Sequence, residues 1–271
     1  MLYLISSLYE LPAKLGLSFR KRLRKLDYTL GIILKGKAVL LIYSGCVPEL
    51  DLILAEKLPS NGDQLTIIPA KPSDYKDATY IADYYRELGI EAQGLFKDEY
   101  EDRGLLSQKV LASNAVYLMG GNTYEFLHYA RSVDLFTILT KLESNGGTIA
   151  AESAGSIILS DNIATASLPS SDVDENTLNM TNFQSMGRLS FHISPHFNPE
   201  KSQLEADLEE LQQLANTSNQ YVLLLEDGEG IVMSDDIIQQ FVGNAKVIKP
   251  QSQSEGNLVM KTFISSELST S

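Results

Sequence analysis

An α/β fold with a mostly parallel sheet and helices over both faces is what this sequence predicts, on three observations. Short continuous apolar runs recur at residues 38–43, 65–69, 115–119 and 221–225, the pattern of strands buried on both faces. Between them lie segments whose apolar residues recur at helical spacing. Small-residue turns follow several of the strands, at Ser44-Gly45, Gly120-Gly121 and Ser153-Ala154-Gly155. Such alternation implies crossover units and a three-layer αβα sandwich, with ligands at the carboxyl ends of the strands.

Taken in order, residues 2–5 read as a short strand and 11–26 as a basic helix. The α/β rhythm then begins with strand 38–43, helix 50–58 and strand 65–69. Residues 73–88 place Ile81, Tyr84, Tyr85 and Leu88 at helical spacing and stop at Gly89. Strand 90–95 and a short helix over 105–111 come next. Strand 115–119 runs into Gly120-Gly121-Asn122-Thr123 and a helix to about Arg131, which Asn122 or Thr123 can cap. A helix over 135–142 leads to the strand before Ser153. Alternation over 189–193 gives a strand that Pro195 ends. A helix follows from Pro199 to Ala215 with Asn198 as its cap, and then strand 221–225. Residues 245–249 and 257–264 read as a terminal hairpin and 265–271 as a frayed tail. We expect one domain over 38–264, with 1–37 as a basic extension.

The chain has 271 residues, 44% of them hydrophobic, and a net charge of −13. Residues 1–37 hold eight Lys and Arg against Glu10 and Asp27, so the body is strongly acidic. An acidic body argues against nucleic acid as a partner, because phosphate contacts need a basic face. The cluster Arg20-Lys21-Arg22-Arg24-Lys25 reads more readily as a solvated helix face than as a membrane or partner contact. No run approaches the ~20 apolar residues of a spanning helix. The single Cys, Cys46, excludes an internal disulfide and a multi-Cys metal site and fits a reducing cytoplasm.

Four short motifs carry the chemistry. Gly146-Gly147-Thr148-Ile149-Ala150-Ala151-Glu152-Ser153-Ala154-Gly155 is written like a strand–nucleophile–helix elbow, although a tight turn with an idle Ser reads the same way. Gly120-Gly121-Asn122-Thr123 offers backbone N–H groups to an anion, or is simply a tight helix entry. His196, in Ser194-Pro195-His196-Phe197, falls on a loop beyond its strand, within reach of a neighbouring hydroxyl. His192 and His196 have the i, i+4 spacing of a zinc pair, but the strand pattern and Pro195 deny them a common helix face, so no metal is expected. In Glu226-Asp227-Gly228-Glu229-Gly230 a buried strand delivers acids into a turn, where one could orient an imidazole. Each of the three acids is a candidate.

The order of Gly-Gly-Asn-Thr, Ser-Ala-Gly, Pro-His-Phe and an acid-Gly turn resembles the peptidase E family, the alpha-aspartyl dipeptidases, and more distantly cyanophycinase. The resemblance covers residues 38–250. It implies a fold like class I glutamine amidotransferases and a cofactor-free serine peptidase that cleaves dipeptides or short peptides. Ser153 would be the nucleophile, His196 the base and Asp227 the acid, with Gly120 or Gly121 and Ala154 N–H groups as oxyanion donors and Asn122 beside them. Three departures stand out. Met119 replaces the first of three family glycines, Glu152 replaces the Trp before the nucleophile and would alter the site's rim, and residues 200–208 lack the Arg of the family's Gly-Glu-Thr-Arg segment. Aspartyl specificity therefore does not carry over. The alternative is a binding or regulatory module on the same fold without turnover; a short peptide is the expected partner, with monomer or homodimer left open.

Overall fold

In the computed structural model, which describes residues 38–58, 62, 64–170 and 173–251, a seven-stranded sheet forms the middle layer. Its strands are β1 (Leu40–Tyr43), β2 (Gln64–Ile68), β3 (Glu91–Gly94), β4 (Ala115–Leu118), β5 (Thr148–Glu152), β8 (Gly230–Ser234) and β9 (Ile237–Val242). They lie in the order β3-β2-β4-β5-β1-β8-β9. The first five are parallel, and β8 and β9 close the edge antiparallel.

Period-2 alternation sorts the strands' side chains onto two faces. Ile42, Leu118, Ile149 and Ala151 face one way, with α4 (Arg103–Ala112), α5 (Thr123–Ser132), α6 (Leu135–Ser144) and the short α7 (Ala154–Ile157) packed over them. Leu41, Tyr43, Ile67, Tyr117 and Ala150 face the other way, against α1 (Pro48–Lys57) and α2 (Tyr75–Glu87). Burying each large aliphatic side chain contributes roughly 1.5–3 kcal/mol, so these two clusters hold the layers together. The chain leaves β1 toward α1 on one face and β5 toward α7 on the other. The crevice between two neighbouring parallel strands thus opens at their carboxyl ends, where open α/β sheets bind ligands.

Several expectations shift. The strand before His196, β6 (Phe191–Ser194), and the strand before the acidic turn, β7 (Tyr221–Leu224), do not join the main sheet. With β10 (Lys246–Ile248) they form a second sheet, β6 and β7 parallel and β10 antiparallel to β7. Residues 246–248, within the first arm of the expected terminal hairpin, pair with β7. The helix expected from Pro199 begins later, as α8 (Leu204–Ser218), and Asn198 caps no helix but accepts from the Glu200 N–H at 2.9 Å. A helix missed in the sequence, α3 (Lys97–Glu101), precedes α4. The expected strand 2–5, helix 11–26, hairpin arm 257–264 and tail 265–271 lie outside the described residues. Among the described residues no helix is long and apolar enough to cross a membrane.

Candidate active site

Ser153 follows β5 directly, with φ 48° and ψ −113°, a backbone conformation that L-residues rarely adopt and that costs about 1–3 kcal/mol. The surroundings hold it there. Its N–H donates to the Tyr43 carbonyl at 3.0 Å, and its carbonyl accepts from Ser156 and Ile157 N–H groups at 2.9 and 3.1 Å. A Cβ at Gly155 would stand 2.5 Å from the Leu118 carbonyl oxygen, so the turn closes onto β4 only with Gly at that position.

His196 reaches the same place from the other sheet. Its Nε2 lies 2.9 Å from Ser153 Oγ and its Nδ1 lies 2.5 Å from Asp227 Oδ1. The His196 hydrogen bond holds the Asp227 carboxyl below the usual range, so the ionised acid can only accept and Nδ1 carries the proton. Nε2 is then free to accept from the Ser153 hydroxyl. The other two acids face elsewhere: Glu226 lies 3.4 Å from the Lys246 ammonium, and Glu229 accepts from the Glu226 and Asn244 N–H groups at 2.8 and 2.5 Å.

His196 also sits at positive φ, 56°. Ser44, at the end of β1, fixes it: the His196 N–H donates to Ser44 Oγ at 2.7 Å, and the Ser44 hydroxyl donates to the Leu225 carbonyl at 2.9 Å. This fully buried hydroxyl joins the ends of β1, β6 and β7, and its site role is not visible in the sequence beyond its place after an apolar strand.

The Gly120-Gly121-Asn122-Thr123 loop leads from β4 into α5. Gly120 lies between the nucleophile and Glu152: a Cβ built on it would stand 3.4 Å from Ser153 Cβ and 3.8 Å from Glu152 Oε2. Asn122 caps α5, its Oδ1 accepting from the Glu125 N–H at 3.0 Å while its Nδ2 donates to the Glu175 carbonyl at 2.9 Å, so its side chain serves the loop. The Thr123 N–H is taken by Asp174 at 2.8 Å. Ala154 follows Ser153 at the start of α7, and Gly121, at φ 147°, follows Gly120 in the turn.

The pocket beside Ser153 and His196 is lined by Thr123, Thr165, Asp174, Lys201, Asp207 and Phe197 among others. The Thr123 and Thr165 hydroxyls are buried in its wall with no hydrogen-bond partner among the described residues. Neither Arg131 nor Arg188 lines it. Arg131 is bound to the Asn182 carbonyl, and Arg188 pairs with Glu143 and Asp236 at 2.8 and 2.5 Å. Burial, reinforced by Asp51, Glu152 and Glu49, pushes the Cys46 thiol up to about 12, which leaves it inert as a nucleophile. His192 is buried in β6 apart from His196, and among the described residues no three His, Cys, Asp or Glu side chains form a metal cluster.

The model of peptidase family S51 matches residues 40–241. Over 141 residues, 51% of this chain and 67% of the relative, the chain is 26% identical to the uncharacterized peptidase Lmo0363 of Listeria monocytogenes serovar 1/2a. Over 160 residues, 55% of this chain and 76% of the relative, it is 27% identical to the uncharacterized peptidase Lin0382 of Listeria innocua serovar 6a. Among solved structures, a protein of Listeria monocytogenes EGD-e described as a candidate peptidase E superposes with a TM-score of 0.57 at 22% identity, covering 77% of this chain and 98% of that one. A peptidase from an acI-B1 Actinobacterium gives a TM-score of 0.62 at 18% identity, covering 80% and 93%. At those identities the two structures speak for the fold.

Proposed function

Because the chain belongs to peptidase family S51 and is a serine-type peptidase, we propose that it cleaves dipeptides or other short peptides with Ser153, His196 and Asp227 as a triad. The observation that carries this reading is the continuous relay from Asp227 Oδ1 through the His196 ring to Ser153 Oγ, at 2.5 and 2.9 Å. His196 Nε2 takes the Ser153 proton as Oγ bonds to the scissile carbonyl carbon, and Asp227 stabilises the imidazolium. The carbonyl oxygen becomes an oxyanion, for which the N–H groups of Ala154 and of Gly120 or Gly121 are the donors. His196 then gives its proton to the leaving amine as the C–N bond breaks. Water, deprotonated by the same imidazole, releases the acyl group and restores Ser153.

Labelling with a fluorophosphonate tests the nucleophile without knowledge of the substrate. Wild type is expected to be labelled at Ser153, and Ser153→Ala and His196→Ala to lose dipeptide turnover by about three or more orders of magnitude with unchanged melting behaviour. A Ser153→Ala variant that turns over near the wild-type rate would sink the assignment.

A further inference from the structure

Glu152 does not sit on the rim, where its place before the nucleophile suggests it should. It stands two residues beyond Ala150 on β5, so alternation carries its side chain to the α1–α2 face, among Tyr43, Tyr117 and Tyr85. There its Oε2 accepts from the Tyr117 hydroxyl at 3.0 Å and lies against Gly120, 3.8 Å from where a Cβ on that residue would stand. Tyr117 is itself wedged edge-on against Tyr43 and tilted against Tyr85, with ring centroids 5.6 and 5.5 Å apart. Gly120 lies directly against the nucleophile, since a Cβ built on it would stand 3.4 Å from Ser153 Cβ.

We propose that Glu152 is a positioning residue of the hydrolytic site: held by the Tyr117 hydroxyl, its carboxyl packs against Gly120, props the Gly120-Gly121 turn against Ser153 and, when ionised, sets a second anion, after Asp227, near His196. The proposal rests on Ser153 and His196 acting as described above. Two consequences follow from the geometry. With Glu152 packed against Gly120, the Gly120-Gly121 turn is held beside Ser153, and removing the carboxyl frees the turn to shift. Burial pushes the Glu152 carboxyl above its ordinary range, the Tyr117 hydroxyl and the imidazolium of His196 favour its ionised form, and the ionised carboxylate favours the imidazolium in return. Other titratable groups face the pair. Asp227 faces His196 from the β7 turn, Asp51 on α1 and Cys46 face Glu152 from below, and Asp174, Lys201 and Asp207 line the pocket above.

The test is the pH profile of Ala-Leu hydrolysis by the full chain, from about pH 5 to about pH 9, with fluorophosphonate labelling of Ser153 in every variant. Glu152→Gln keeps a carbonyl acceptor and drops the charge, so plateau kcat should stay within about threefold of wild type while the acid limb of kcat/KM moves down by about half a pH unit. Glu152→Ala releases the turn and should lower kcat by about tenfold to a hundredfold with KM within about threefold. Tyr117→Phe removes the hydroxyl donor and should fall between them. An acid limb in Glu152→Gln that coincides with that of wild type, or kcat in a folded Glu152→Ala within about twofold of wild type, overturns the role of Glu152 while leaving the triad standing. Failure of wild type to label at Ser153 removes the triad and this proposal together.

Discussion

Two residues of the site, Ser153 and His196, hold positive φ without being Gly, and each conformation costs about 1–3 kcal/mol. Neighbours built for the purpose maintain them: β1 supplies the Tyr43 carbonyl for the Ser153 N–H and the Ser44 hydroxyl for the His196 N–H. At this scale the three acids of one turn separate into three tasks. Asp227→Asn should lower kcat by about four orders of magnitude, because an amide facing Nδ1 upsets the tautomer and no longer stabilises the imidazolium. Glu226→Gln should leave kcat within about threefold, since its carboxylate faces only Lys246. Glu229→Ala leaves the N–H groups of Glu226 and Asn244 unpaired and should cost about 2 kcal/mol of stability, read as a lower Tm. Severe kinetic loss in Glu226→Gln with a mild Asp227→Asn would move the acid by one residue.

At the scale of elements, we expect the segment between His196 and α8 to set specificity. That stretch brings Lys201 to the pocket, and the first turn of α8 brings Asp207, which with Asp174 puts two carboxylates and one ammonium in the pocket lining among the described residues. An anionic side chain gains little there, since holding a dehydrated carboxylate needs a surplus of cations or donors. The kcat/KM for Asp-Leu should therefore be no more than about tenfold above that for Ala-Leu. A hundredfold preference for Asp-Leu would show that Lys201 alone meets the need, and Lys201→Ala should then abolish the preference.

Across the whole molecule, burial couples stability to pH. His192 is wholly buried in β6, and neither ring nitrogen has a hydrogen-bond partner among the described residues. Burial holds its pKa below the ordinary value of 6.5, with Asp161 pulling weakly the other way. In the unfolded chain His192 therefore takes up a proton first as pH falls, and the stability it confers above about pH 6.5 is lost as pH drops toward its folded value. Asp51 has the opposite sign. Burial pushes its carboxyl up to about 6 despite hydrogen bonds from Tyr85 and Tyr84, so the folded state takes up that proton first and gains stability as pH falls through 6. Wild type minus His192→Leu isolates the first effect. Its Tm difference between about pH 8 and about pH 5 should shift toward greater acid sensitivity in wild type, and parallel curves for the two proteins would refute the assignment.

By itself the sequence determined the parallel sheet, the tight turn at Ser153, the His196 loop, the acidic turn and a helix cap at Asn122 or Thr123, because periodicity and turn chemistry are local properties of neighbouring residues. It left open which strand pairs with which, since a buried apolar run such as Tyr221–Leu224 reads alike in a seven-stranded sheet and in a three-stranded one. It also left open which of Glu226, Asp227 and Glu229 meets His196, what Ser44 joins, and that Glu152 packs against Gly120. Each of these depends on distances between residues 30 or more apart in the chain, or on which way a carboxylate points within one turn. Strand order within the main sheet and the packing of the two sheets against each other set those distances, and so the site's electrostatics belong to the tertiary structure while its candidate reactive groups were legible in the chain.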